Sequence, residues 1–209
     1  KTLFDLRSLA TEHHQFLTAD TAVITAQSYN GLKTANTLSH HTDGQTHNYQ
    51  EQFTTDGFGR EHKRVVDPNG KLKLTHEKKL DNANRLIATI DPKGQTSYIV
   101  RDNIGNIRFE INAKGGVTEH RYNAANKPIF TAHYITAVAL TSLSVGMTIT
   151  AVEALLADTK SDFDQHTYYF YDDFLNERFR VIETERSSTK NTQTSSVVES
   201  RYNLKKEKI

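Results

Sequence analysis

The clearest alternation of apolar and polar positions lies mid-chain. Ile107, Phe109 and Ile111 alternate with Arg108 and Glu110, the two-residue period of a strand with one buried face. Similar short stretches run over 85–90, 96–100 and 117–122, rich in Ile, Val, Thr and Tyr. These residue types suit a pleated, half-buried surface. Clusters of Asp, Asn, Gly and Lys separate the stretches. The pattern predicts an all-β fold of consecutive antiparallel hairpins with short connections, forming a β-ribbon.

The clusters recur as a unit. Asp56-Gly57-Phe58-Gly59-Arg60 precedes Asp67-Pro68-Asn69-Gly70. Asp81-Asn82-Ala83-Asn84-Arg85 precedes Asp91-Pro92-Lys93-Gly94, and Asp102-Asn103-Ile104-Gly105-Asn106 precedes Asn112-Ala113-Lys114-Gly115. Tyr122-Asn123 and Tyr171-Asp172 open two more units, and Tyr202-Asn203 begins another. Tyr29-Asn30-Gly31 with Asp43-Gly44 reads as an earlier, worn copy. Asp81 to Asp102 and Asp102 to Asn123 are both 21 residues, whereas Asp56 to Asp81 is 25. Each unit therefore holds two turns with a strand between them. Asp or Asn at the first position can accept a backbone hydrogen bond from two residues on. Gly or Asn three residues later, as at Gly59, Asn84, Gly94, Gly105 and Gly115, tolerates positive φ. In the two Asp-Pro turns, Pro is expected to preset φ and Gly to close the turn.

The repeat pauses after residue 133. From Ile135 to Leu156 the lone formal charge is Glu153. This length would allow a membrane helix. Thr, Ser and Gly146 interrupt it too often, so no membrane span is expected. The alternation of Leu143, Val145, Met147 and Ile149 predicts a strand. Thr150 followed by Glu153 predicts a capping box opening a short helix over 151–158. The expected organisation is a lead-in over 1–28, repeats over 29–133, a Thr-rich apolar insert over 134–165 and further repeats over 166–209.

Composition narrows the function. Of 209 residues, 26 are Lys or Arg and 25 Asp or Glu. That balance gives no reason to expect a nucleic-acid or anionic-membrane partner. Apolar residues make up 36%, a low share that suits thin β-architecture wetted on one face. The absence of Cys excludes disulfides and thiolate metal sites. Lys1 is not an initiator Met, and 204–209 follows a motif that has only begun. Both ends are expected to be cuts through a longer chain.

These units resemble the YD-repeat, or Rhs, family, whose unit reads Tyr-Asp-x-x-Gly-Arg-Leu, a strand, Asp-x-x-Gly and a second strand. The resemblance covers 29–133 and 166–203. The leading Tyr is present at Tyr122, Tyr171 and Tyr202 and replaced by Thr55, Leu80 and Arg101 elsewhere. The segment 167–172, resuming after an apolar insert, is also similar to large bacterial members. The resemblance implies a β-ribbon spiralling into a hollow shell that encloses or presents another domain, in a large secreted bacterial protein. The implied partners are other repeats of the same parent, an encapsulated toxin domain or partner toxin subunits. The family's self-cleaving plug has no counterpart in these residues.

No residue constellation predicts catalysis. His13-His14 and His40-His41 are adjacent pairs that would point to opposite faces of a strand, and no His-Glu-x-x-His spacing occurs. No metal or other cofactor is expected. Turn formation accounts for the repeat Asp residues without calcium. Gly57-Phe58-Gly59-Arg60 has no helix after it, so it is not a dinucleotide fingerprint. Asp162 with Asp164, and Asp172 with Asp173, lack anything beyond residue type to make them glycosidase carboxylates. The chain is therefore expected not to be an enzyme. Tyr168 and Tyr169 lie in an aromatic cluster that favours cross-strand packing. They are the candidates for a ligand-facing surface in the alternative reading, a carbohydrate- or receptor-binding module with a glycan or cell-surface receptor as partner.

Overall fold

The structure is a computed structural model that describes residues 2–4, 10–16, 22–30, 33–42, 45–68, 70–161, 164–187 and 192–199. Gly31, Asp43, Gly44, Asn69, Asp162, Tyr202 and Asn203 lie outside the described residues, as do 1, 5–9 and 17–21 of the lead-in. The chain divides into two compact units, Lys1–Gln95 and Thr96–Ile209.

The first unit contains β1 (Thr2–Phe4), β2 (Ala10–Phe16), β3 (Ala22–Asn30), β4 (Lys33–Thr42), β5 (Gln45–Thr55), β6 (Glu61–Val66), β7 (Leu74–Leu80) and β8 (Leu86–Ile90). Each pairs antiparallel with the next in sequence. The second unit contains β9 (Thr96–Arg101), β10 (Ile107–Ile111), β11 (Val117–Tyr122), β12 (Pro128–His133), β13 (Gln165–Tyr171), β14 (Glu177–Ser187) and β15 (Thr192–Glu199). The same sequential antiparallel pairing joins them. The fold is all-β, built from consecutive hairpins, with one short helix.

The second unit holds a hydrophobic core because its insert covers one sheet face. Phe109 lies opposite Val100 on one side and Glu119 on the other, and Ile111 opposite Val117. Phe109, Ile111, Val100, Val117 and Ala132 are buried on this face. The insert, 134–164, lays Val138, Val152 and Leu156 against them. Burial of each large apolar side chain contributes about 1.5–3 kcal/mol. In the first unit, the buried apolar side chains among the described residues are Val65 and Ala88.

The insert differs from the expectation in two places. The run Leu143, Val145, Met147, Ile149 is not a strand. A 3₁₀ turn at Leu140–Ser142 precedes it, a turn with positive φ at Gly146 interrupts it, and Ile149 already begins the helix. A strand needs a free neighbour, and β12 has both edges occupied by β11 and β13. The segment therefore satisfies its backbone locally. The helix α1 spans Ile149–Ala157, two residues earlier than 151. Thr148, not Thr150, caps it, accepting from the N–H of Ala151 at 3.2 Å. Glu153 turns to Arg108 on the sheet, at 3.5 Å, instead of closing a capping box. Among the described residues no helix is long and apolar enough to cross a membrane.

Candidate functional site

The recurring structural site is the hairpin turn. Seven five-residue turns among the described residues share one set of hydrogen bonds. They begin at Asp56, Asp81, Asp91, Asp102, Asn112, Asn123 and Asp172. In each, the first carbonyl accepts from the fourth N–H at 2.9–3.1 Å, and the first N–H donates to the fifth carbonyl at 2.9–3.0 Å. The first side chain's Oδ1 accepts from the backbone N–H groups of the third and fifth residues at 2.8–3.1 Å. One oxygen thus satisfies two donors that would otherwise need water. An amide oxygen serves as well as a carboxylate, which is why Asn112 and Asn123 fill the position.

The fourth residue carries positive φ in every case. It is Gly at Gly59 (77°), Gly94 (76°), Gly105 (102°) and Gly115 (85°), and Asn at Asn84 (63°) and Asn126 (58°). The last turn places Leu175 there, at 62°. A left-handed fourth residue after a tight turn makes a bulge in the ladder. The strand register shifts accordingly beside the turns at Asp56, Asp81, Asp102, Asn123 and Asp172.

The fifth residue distinguishes the turns. Arg60 and Arg85 return Nε to the second carboxylate oxygen of Asp56 and Asp81, at 2.6 and 2.7 Å. Asn106 and Asn176 do the same with Nδ2 to Asp102 and Asp172, both at 3.1 Å. The backbone N–H bonds of Arg85 and of Asn176 are the main cause holding Asp81 and Asp172 below the usual carboxylate range. At Asp56, burial pushes the carboxyl upward, but the bonds from Arg60 and Phe58 outweigh it and leave it lowered.

Asp67–Gly70 departs from this geometry. Asp67 itself takes positive φ, 53°, as does Lys73 at 38°. Its carbonyl accepts from Gly70 N–H at 3.2 Å, and its carboxylate from Leu72 N–H at 3.2 Å. A Cβ at Gly70 would meet the Asp67 carboxylate, which would have to swing out of its bond to Leu72 N–H. The connection fills the seven positions 67–73, two more than elsewhere. This longer loop and its slightly longer strands account for the 25-residue spacing.

Neighbouring turns are linked. Arg60 Nη1 donates to the carbonyl of Asp81 at 3.0 Å, and Asn106 Nδ2 to Asn126 Oδ1 at 3.2 Å. The repeat tyrosine Tyr171 donates its hydroxyl to the carbonyl of Pro128, at 2.6 Å, just past the preceding Asn123 turn. Its side chain is half-buried, and burial pushes its hydroxyl pKa up. Tyr122 is likewise half-buried and raised by burial.

A second cluster, which the residue pattern did not single out, fixes the insert. Glu119 occupies an inward position between Val117 and Arg121 and is 2% exposed. It accepts from Arg108 Nη1 at 2.7 Å, from Arg121 Nε at 2.6 Å, and from the hydroxyl of Tyr134. Burial pushes the Glu119 carboxyl upward, yet the bonds from Tyr134, Arg121 and Arg108 together hold it below the usual range. Burial and the Glu119 carboxylate raise the Tyr134 hydroxyl strongly. Asp164 closes the base of the insert. Its two oxygens accept from the N–H groups of Ile135 and Ser161, both at 2.9 Å. Both bonds give Asp164 a structural task. A Glu at an inward slot flanked by Arg at 108 and 121 is the signal that would have revealed the first cluster.

The structure does not bring Tyr168 and Tyr169 together. As strand neighbours they face opposite sides. Tyr168 packs against Phe130, with ring centroids 5.2 Å apart, while Tyr169 lies under Arg180 at 5.4 Å. Asp172 serves its turn, and Asp173 is an exposed turn residue beside it. Among the described residues no three His, Asp or Glu side chains gather as metal ligands would.

Compared with known proteins, the chain matches no family profile, and no curated protein matches it. Among solved structures, a chain of the crystal structure of TcdB2-TccC3-Cdc42 matches all of this chain, with TM-score 0.38 and 8% identity. A chain of the TcdB2-TccC3 crystal structure matches with the same values. This chain spans 15% of the length of each.

Proposed function

We propose that this chain is a run of YD (Rhs-type) repeats, a wall segment of a β-shell in a large secreted protein, and that its role is mechanical rather than catalytic. The observation that carries this reading is the turn. Seven copies repeat one hydrogen-bond set, five of them at the 21-residue period (Asp81, Asp102 and Asn123 in one series, Asp91 and Asn112 in the other), and the Asp56 turn is bonded to the Asp81 turn and the Asp102 turn to the Asn123 turn. A repeat whose units bond mainly to their sequence neighbours extends as a ribbon, and its stability sums along that ribbon. The polar side chains most prominent in the sequence are spent on this geometry. The Oδ1 of each turn Asp or Asn holds two backbone donors, a structural task. In this reading the partners are further repeats of the parent, and the shell encloses a toxin domain or meets partner toxin subunits.

Limited proteolysis of the parent protein tests the proposal. A wall segment survives as part of one continuous protected block, with cleavage confined to exposed tips. Free cleavage at many turns between 56 and 176, at protease levels that spare a folded control, would overturn it.

A further inference from the structure

The turns at Asp56 and Asp81 project from the same end of the first unit, because each is followed by a hairpin that returns the chain to that end. A cleft of about 450 Å³ lies between them, lined by Phe58, Arg60, Asn82 and Asn84. That volume falls in the range of small-ligand sites. Three features distinguish it from an ordinary gap between loops.

The first is Phe58, at the tip of its turn and 87% exposed. Its ring lies 5.2 Å from the Arg60 guanidinium carbon. A cation over one face leaves the ring oriented and its remaining surface open to a ligand. The second is Arg60, whose Nε and Nη1 are fixed by Asp56 and by the carbonyl of Asp81. A guanidinium held on two edges has lost its rotamer freedom already, so a bond from Nη2 costs little further ordering. The third is the pair Asn82 and Asn84. Both are exposed, and neither amide is used in the hydrogen bonds of its turn, which rest on Asp81. Each offers a carbonyl acceptor and two donors.

An aromatic face beside planar amides and a guanidinium is the chemistry that recognises a pyranose. The C–H face of the ring stacks on the aromatic, and amide and guanidinium groups bond neighbouring hydroxyls in pairs. Asp56 and Asp81 are committed to their turns, so the lining carries no spare carboxylate to attract a cation. We infer that this cleft is a glycan subsite, taking one hexose residue of a carbohydrate chain between two consecutive repeat turns. The inference stands apart from the scaffold reading, since it needs only these two turns and not a closed shell.

The test titrates the whole chain, labelled with ¹⁵N, with the methyl pyranosides of glucose, galactose, mannose and N-acetylglucosamine. At least one is expected to produce saturable amide shifts grouped at 57–60 and 82–85. Phe58→Ala weakens that binding about tenfold, and Asn82→Ala weakens it by a smaller factor. Phe174→Ala, which removes a comparably exposed tip in a turn of the other unit, leaves it unchanged. Absence of saturable shifts with all four sugars overturns the inference. So does binding of undiminished affinity in Phe58→Ala, or an equal loss of affinity in Phe174→Ala. The spectra of the variants also report whether the turns remain folded.

Discussion

At each turn a single side-chain oxygen does the work of two backbone partners, and this makes the residue choice readable. Asp81→Asn keeps Oδ1 and loses the charge and the second oxygen that Arg85 Nε donates to, an exposed pair that contributes little. Asp81→Ala removes both backbone bonds. Urea unfolding should therefore place Asp81→Ala clearly below Asp81→Asn, with the latter close to the parent. The fourth position is legible where it is Gly or Asn and hidden where it is Leu175, a residue whose Cβ resists φ of 62°. Left-handed backbone costs a non-Gly residue roughly 1–2 kcal/mol, and Gly gives back part of that as chain entropy, about 0.5–1 kcal/mol. Leu175→Gly should raise stability by roughly 0.5–1 kcal/mol, seen as a higher thermal midpoint. An unchanged or lower midpoint would mean the half-exposed Leu side chain contributes more than its backbone strain removes. The Asp67 loop was less legible, because its Asp-Pro-Asn-Gly letters suggest a tight turn while the chain supplies seven connecting positions.

At the scale of elements, the insert is held by contacts that no local pattern announces. Sequence periodicity reports neighbours along the chain, whereas Glu119, Arg108, Arg121 and Tyr134 meet across β10, β11 and the start of the insert. The strand expected over 143–149 failed for the same reason, since a sheet edge must be free before a strand can use it. The docking of the insert is testable at Gly115. Its carbonyl accepts from Val138 N–H at 2.9 Å, and a Cβ there would press on the Val138 carbonyl. Gly94 has similar φ but open space around it. Gly94→Ala should cost the backbone strain alone, about 1–2 kcal/mol, and Gly115→Ala distinctly more. Equal losses would show that the insert yields freely at this point. Acid should loosen the same element. Glu119 faces Arg108, Arg121 and Tyr134, with Glu153 beyond Arg108, and its pKa is lowered on folding. The unfolded chain then binds more protons near and below pH 4, so stability from this carboxylate is complete above that pH and lost as pH falls through the lower folded value. Hydrogen exchange at 134–157 should accelerate between pH 5 and pH 3, after correction for intrinsic rates, and Glu119→Gln should flatten that dependence. Removal of the carboxylate by Glu119→Ala leaves half-buried Arg108 and the buried Tyr134 hydroxyl without their shared acceptor, a loss of about 1–3 kcal/mol.

At the scale of the molecule, hairpin units of similar sequence acquire different stabilities. The repeat register runs from Asp56 to Asn126 with little change in turn chemistry, so nothing along it announces a boundary near residue 95. What differs is the apolar cover. Over β9 to β12, Val138, Val152 and Leu156 of the insert bury Phe109, Ile111 and Val117. Over β6 to β8, the described residues bury Val65 and Ala88 and otherwise present charged side chains such as Lys63, Arg64, Glu77 and Lys78 to water. Surface ion pairs of this kind contribute about 0–1 kcal/mol each, less than a single buried large apolar side chain. Cooperative exchange should therefore divide along the chain. The amides of Phe109, Ile111 and Val117 are expected to exchange slowest, and those of β6 to β8 earlier, through openings that leave the second unit intact. Leu156→Ala sharpens the test. Truncating a buried Leu costs about 2–5 kcal/mol, and that loss should fall on the protection of β9 to β12. Protection of β6 to β8 should remain as in the parent, because their more frequent openings never drew on the insert. If Leu156→Ala lowers protection equally in both units, the ribbon unfolds as one cooperative body and the insert stabilises more than the sheet face it covers.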